Sequence, residues 1–225
     1  MALILAIETA TKNCSVALFK NEKLLQLKEY NSAEYSHSEQ LTLFIKEVIN
    51  KTKVNLKEID GVAVSKGPGS YTGLRIGVSI AKGLCYSLEL PLIAVSTLRS
   101  MSFAILKKEE YRFYCPMIDA RRTEVFSSIY DQSNNEVREI RADIVDSDTY
   151  AEFLKENVLF FGDGALKCKM IINHPKAHFI EGVFPSAKDM GTLVFNKYIN
   201  KDFEDVAYFE PYYLKDFVSG PKKRT

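Results

Sequence analysis

Residues Ser65–Leu88 read SKGPGSYTGLRIGVSIAKGLCYSL, and the rest of the chain is organised around them. Gly67-Pro68-Gly69 reads as a turn, Ser70 as a helix N-cap, and the residues that follow are apolar at helical spacing. Ahead of the turn, Ile59–Val64 reads as a buried strand. A glycine-rich strand-to-helix turn offers free N–H groups and a positive dipole end, which suits an anion or a closely approaching backbone. Two phosphate motifs are excluded. A dinucleotide fingerprint needs its third glycine where Thr72 stands, and a P-loop needs Gly-Lys-Ser/Thr where Gly73-Leu74-Arg75 stands. On the helix, Leu74, Val78, Ala81 and Cys85 make a stripe that buries against a sheet. Gly73, Gly77 and Ala81 make a second, small-residue ridge flanked by Ile76 and Ile80. An interior glycine costs about 1 kcal/mol relative to alanine. The ridge therefore asks for a close approach, either to the chain's own strands or to a helix of a second subunit.

Composition bounds the partners. The 225 residues are 46% hydrophobic with a net charge of +1, enough for one large or two small cored domains. A pI of 7.6 is below the basic range of proteins that grip nucleic acid unaided, so any RNA contact is shared with partners. The basic run Lys222-Lys223-Arg224 follows Gly220-Pro221 and reads as a solvated tail. Cys14, Cys85, Cys115 and Cys168 are scattered without a C-x-x-C pair, which predicts free thiols and a reducing, cytoplasmic setting. Ala2–Ile7 reads as a strand rather than a signal peptide, and no apolar run reaches the roughly 20 residues of a membrane span.

In order, Ala2–Ile7 ends in the polar turn Glu8-Thr9-Ala10-Thr11-Lys12-Asn13 and returns as Ser15–Phe19, with Leu24–Tyr30 as a third strand. Ser36 or His37 opens a helix whose apolar face is Leu41, Phe44, Ile45, Val48 and Ile49, and Ser36 with Glu39 fits a capping box. Pro91–Val95 is a short buried strand, and Ser96 caps a helix to about Leu106. The pattern then recurs. Tyr111–Ile118 ends in Asp119-Ala120-Arg121-Arg122-Thr123 and returns as Glu124–Tyr130, with Glu136–Ile140 as the third strand. Helices are expected near Asp148–Glu156, over Ala165–Ile172 and over Ala187–Asn200, with a strand at Val158–Phe161 before Gly162-Asp163-Gly164. Glu8 and Asp119 occupy corresponding places, so the chain reads as two duplicated α/β halves, 1–102 and 103–225, the final helix able to pack back on the first.

Two α/β halves, each opened by a hairpin with an acid at its tip, resemble the actin-like/hexokinase/Hsp70 (ASKHA) ATPase fold. The run Gly67–Gly77, with Ala6-Ile7-Glu8-Thr9, His37-Ser38-Glu39, Asp119-Ala120-Arg121 and Phe161-Gly162-Asp163-Gly164, narrows the match: the whole chain resembles the TsaB (YeaZ) family. That resemblance implies a non-catalytic partner in forming N6-threonylcarbamoyladenosine (t6A) at tRNA position 37. It would dimerise with the carbamoyltransferase TsaD, work with the ATPase TsaE, meet tRNA only within the complex, and form a homodimer when alone. It implies pairing through the helices Ser36–Lys51 and Ser70–Ser87, with His37, Leu41, Ser70, Thr72, Gly73, Arg75, Ile76, Gly77 and Ile80 at the interface.

The resemblance also implies where catalysis would sit. TsaD carries a metal-binding histidine pair, four residues apart, on the helix after the fifth strand; Thr97 and Met101 stand there in this chain. Neither replaces a histidine, so no metal site is expected. His174 and His178 have Pro175 between them and read as loop. Glu8, Thr9, Asp119, Gly162 and Gly164 mark a vestigial or shared nucleotide site, with Ala10 and Ala120 where active kinases have glycine. No cofactor is expected to bind tightly; ATP or ADP with Mg²⁺ would sit at the junction with TsaD. The alternative is an independent ATP-dependent small-molecule kinase using Glu8; a metallopeptidase is disfavoured by the missing histidines. One departure from the family is Pro211-Tyr212-Tyr213-Leu214-Lys215, where arginine is usual at the last position, which weakens any bidentate role there.

Overall fold

The computed structural model describes residues 1–31, 37–106 and 111–215. Its first sheet is built from β1 (Leu3–Glu8), β2 (Asn13–Lys20), β3 (Lys23–Asn31), β4 (Gly61–Gly67) and β5 (Leu92–Ser96), in the order β3-β2-β1-β4-β5. The second contains β6 (Phe113–Asp119), β7 (Glu124–Tyr130), β8 (Glu136–Ile144), β9 (Val158–Phe161) and β10 (Ala177–Ile180), in the order β8-β7-β6-β9-β10. In each sheet the central strand pairs antiparallel with the next strand and parallel with the fourth. Glu8 and Asp119 are the last residues of the two central strands. The duplication is therefore one of topology, and each acid stands where its sheet ends.

Helices α1 (His37–Thr52) and α2 (Tyr71–Leu88) lie side by side on one face of the first sheet. Their apolar stripes close a core of Leu5, Ile7, Val64, Leu41, Val48, Val78 and Ala81. The expected caps form: Ser70 Oγ accepts the Gly73 N–H at 3.2 Å, and Ser96 Oγ accepts that of Arg99 at 3.4 Å. Ser36 of the expected capping box lies outside the described residues, as does the basic run 222–224. Helix α3 (Thr97–Ile105) leaves the first sheet and packs on the second, where Leu98 and Met101 meet Tyr114, Ile118 and Phe161. In return α5 (Gly191–Ile199) and the 3₁₀ turn Ala187–Met190 cover the other face of the first sheet, against Ala6, Ala63 and Ile93.

Several expected elements differ. In place of a helix near 148–156 there is one 3₁₀ turn, Phe153–Lys155. Asp146 explains the start: its Oδ1 accepts the Asp148 N–H at 3.0 Å and the Thr149 hydroxyl at 2.6 Å, bonds that compete with a helical backbone. The helix expected over Ala165–Ile172 is only α4 (Ala165–Cys168), and the one expected over Ala187–Asn200 is split at Met190. His178, expected in a loop, lies in β10, with its ring 5.1 Å from that of Tyr111. All four cysteines are free and buried.

A C-terminal strap ties the halves together. The Glu204 N–H bonds Leu92 O on the edge of the first sheet, and the Tyr212 N–H bonds Lys66 O at 2.7 Å. Tyr213 then stacks on Tyr71 at 4.6 Å, Leu214 enters the second core, and Lys215 pairs with Glu124. Lys215 thus makes a single charged contact there. Because ring stacking and Leu214 also hold the strap, Lys215→Ala is expected to lower stability by under about 1 kcal/mol, measurable by urea unfolding.

Candidate functional site

The first hairpin tip is closed by its own chain. Glu8 is 0% exposed; its Oε1 accepts the Ala10 N–H at 2.7 Å, and its Oε2 has no partner. Burial pushes this carboxyl up to about 7, against the Ala10 N–H and with a smaller push from Asp189. Thr9 and Ala10 are buried with it. Three glycines of the 67–77 run now have reasons. A Cβ on Gly69 would stand 2.4 Å from Ala10 O, whose carbonyl accepts the Ser70 N–H at 2.6 Å. A Cβ on Gly77 would stand 2.3 Å from Thr9 Oγ1, and one on Gly67, where φ is +105°, 2.8 Å from Tyr212 O. The anion or partner backbone expected at this turn is the chain's own first tip and its own C-terminal strap.

The second tip is open but neutralised. Asp119 Oδ1 accepts the Arg121 N–H at 2.9 Å and pairs with the Lys167 ammonium, which also bonds the Arg122 and Glu124 carbonyls. Asp163 accepts the Asp119 N–H at 3.0 Å, and burial raises its carboxyl. Gly162, at φ +107°, lies so close under Met117 O that a Cβ would stand 2.2 Å from it, and Gly164 lies 3.0 Å from Asp119 N on the same measure. The predicted site residues thus fall into two clusters: Glu8 and Thr9 with Ser70 and Gly77, and Asp119 with Gly162 and Gly164. No hydrogen bond or ion pair among the described residues joins them.

These residues do not fit a Mg²⁺–nucleotide within this chain. The Ala10 and Ser70 amides are engaged internally, and the Glu8 carboxyl is sealed from a hydrated cation. The helix after the fifth strand is α3, as expected, with Thr97 at 0% and Met101 at 1% exposure. The Met101 methyl packs toward Gly162. Among the described residues, no three His, Cys, Asp or Glu side chains gather as a metal site. Two open clefts, of about 450 Å³ beside Tyr208 and Glu210 and about 200 Å³ between Asn31 and Phe184, are lined by neither Glu8 nor Asp119.

Part of the helix face expected at a partner is buried within the chain. Leu41 is 0% exposed in its own core, and Gly73 and Gly77 are buried within the chain, Gly77 at the close approach to Thr9 of the first tip. Thr72 and Arg75 are exposed, and Ser70, Ile76 and Ile80 are half-buried. Arg75 lies over the Tyr71 ring at 5.2 Å and bonds its hydroxyl. His37 opens α1. Sequence reading missed Leu43 on α1, 62% exposed, and Tyr86 on α2, 84% exposed. Both are large apolar residues off their helix's buried stripe, and that displacement was the available signal.

Comparison with known proteins narrows the class. A family model described as TsaD, tRNA N6-adenosine threonylcarbamoyltransferase, matches residues 31–218. The tRNA threonylcarbamoyladenosine biosynthesis protein TsaB of Buchnera aphidicola subsp. Schizaphis graminum is 30% identical over 87% of this chain and 94% of its own length. Its namesake from Buchnera aphidicola subsp. Acyrthosiphon pisum is 36% identical over 60% of this chain, which spans 60% of that relative's length. The solved structure of YeaZ from Pseudomonas aeruginosa matches with a TM-score of 0.84 at 24% identity, covering 95% of this chain and 100% of that one. Duplicated sheets of one strand order, each ending its central strand in an acid at a hairpin, make this an actin-like/hexokinase/Hsp70 fold. The chain belongs to the TsaB family, within the group that the TsaD model describes. Among the described residues no helix is long and apolar enough to cross a membrane.

Proposed function

We propose that this chain is a non-catalytic subunit in t6A formation on tRNA, dimerising with TsaD and working with TsaE. The observation that carries this reading is the closed first tip. A fold that elsewhere opens its hairpin tips to nucleotide here fills the tip with its own Gly67–Gly77 turn, and Thr97 and Met101 are packed where a metal site would need ligands. Any ATP or ADP with Mg²⁺ would then lie at a surface completed by TsaD.

The test is carbamoyl transfer to unmodified tRNA from threonylcarbamoyl-adenylate, with TsaD, TsaE and ATP, in the presence and absence of this chain. Product that requires the chain, while the chain alone makes none, supports the role. Full product without it ends the proposal.

The exposed edge of α1 and α2 is the surface proposed for TsaD. Gly73→Arg is a poor probe, because it forces a charge into the chain's own interior. Thr72→Arg leaves the core alone. It is expected to weaken the TsaD complex tenfold or more, roughly the cost of a misplaced charge at an interface, with an unchanged melting temperature. Calorimetric titration with TsaD checks it; wild-type affinity would remove this face from the proposed interface.

A further inference from the structure

The turn between β6 and β7 carries a feature that the closed first tip does not share. Arg121 and Arg122 are consecutive residues with φ of +73° and +50°. A side chain in this region crowds the following carbonyl, so glycine or asparagine usually stands there. Both arginines are exposed, and among the described residues neither guanidinium makes a hydrogen bond or an ion pair. The acids around them are already engaged: Asp119 with Lys167, Glu124 with Lys215, and Asp163 with the Asp119 amide. In the first half the matching turn is the buried Ala10-Thr11, at ordinary φ. The second tip therefore projects two uncompensated positive forks on a backbone that other residue types would hold more easily.

We propose that Arg121 and Arg122 grip the phosphodiester backbone of the RNA substrate, an inference that rests on the proposed role in tRNA modification. A planar guanidinium matches a phosphate with two parallel hydrogen bonds. With a net charge of only +1, the chain offers a local contact that positions RNA in the assembled complex rather than a broad basic face. A nucleotide is a poorer occupant of the fold's tips, since the first-tip amides are spent and Asp119 is held by Lys167.

The test is binding of an unmodified tRNA transcript to the assembled complex with TsaD, followed by fluorescence anisotropy as salt is raised from roughly 50 to 200 mM. The variant is Arg121→Gly with Arg122→Asn, which removes both charges and gives the turn residues that accept positive φ, so its melting temperature should hold or rise. Affinity should fall about tenfold, and the salt slope of log affinity should lose about 2, one for each phosphate contact. A double lysine variant should keep the slope while recovering only part of the affinity. If the wild-type complex binds tRNA and makes t6A, and the Gly-Asn variant binds with the same affinity and slope, the inference is overturned and the role stands. Lost assembly with TsaD at unchanged tRNA affinity in the assembled fraction would also overturn it, marking a protein contact. A wild-type system in which the chain is dispensable removes both role and inference.

Discussion

Glu8→Gln is expected to stabilise the protein by about 3 kcal/mol at pH 8 and by almost nothing at pH 4. The Glu8 carboxyl is fully buried, and burial raises it from an ordinary 4.5 to about 7. Unfolded, it loses its proton near 4.5; folded, it keeps that proton until about 7. The native state therefore binds more protons than the unfolded state across this window. Stability falls as pH rises through it and levels off above 7. Glutamine retains an Oε1 to accept the Ala10 N–H and carries no charge to desolvate. Asp189, raised by burial to about 6, titrates in the same window but is present in both proteins, so its own contribution largely cancels. Urea unfolding of both proteins from pH 4 to 8 measures the difference. A difference independent of pH, or a variant less stable at pH 8, would mean that Glu8 is solvated and charged. That result would reopen the kinase alternative, in which this carboxylate binds Mg²⁺.

The fold was legible because its signals are local and occur twice. Each half begins with an apolar strand, an acid, a polar turn and a returning strand, and the sheets repeat that order. Ser70 and Ser96 announced their helices by cap chemistry that acts over three residues. The failures lie where a long-range partner decides. Residues 148–156 have helical spacing, but Asp146 turns the backbone and Tyr150 is drawn into a buried polar network. In β10 only four residues pair, beside β9, and nothing local to His174-Pro175 foretells it.

The site was legible as residues but not as partners. Gly77 was correctly read as needing a close neighbour, yet only the three-dimensional structure identifies that neighbour as Thr9 of the same chain. Periodicity reports that a helix position is crowded; it does not say from which side. Helical spacing places Leu41 on the apolar face of α1, where the structure buries it, whereas the family resemblance implies a partner contact there. The left-handed backbone of Arg121 and Arg122 is hidden from the sequence, since no residue type there betrays it.

The second large effect belongs to the half that carries the arginine turn. Asp143→Ala is expected to lower stability by about 3–5 kcal/mol, the range for stranding one partner of a buried ion pair. Asp143 Oδ1 and Oδ2 accept Arg138 at 2.6 and 2.9 Å, and Oδ2 also accepts the Ser127 and Tyr150 hydroxyls at 2.5 and 3.1 Å. The two charged side chains are 11% and 9% exposed, so water cannot replace a lost partner. Burial pushes the Asp143 carboxyl up, but the Arg138 hydrogen bonds and charge, with the two hydroxyls, outweigh it and hold it below the usual range. Its contribution is therefore present above about pH 4 and fades as the solution is acidified below that, the opposite sense to Glu8. The double variant Arg138→Met with Asp143→Leu removes both charges together and should recover most of the loss, because neither charge is then stranded. The network joins β7 to β8 in a sheet that, among the described residues, is backed by the nine-residue α3 rather than by a helix as long as α1. Its loss should consequently appear as faster amide exchange in β7 and β8 ahead of β1 and β4. Uniformly faster exchange would mean that the two halves unfold as one unit, with α3 and α5 transmitting the loss across the sheets. A loss under about 1 kcal/mol would place the pair among solvent-screened surface bridges, against the burial on which the expectation rests.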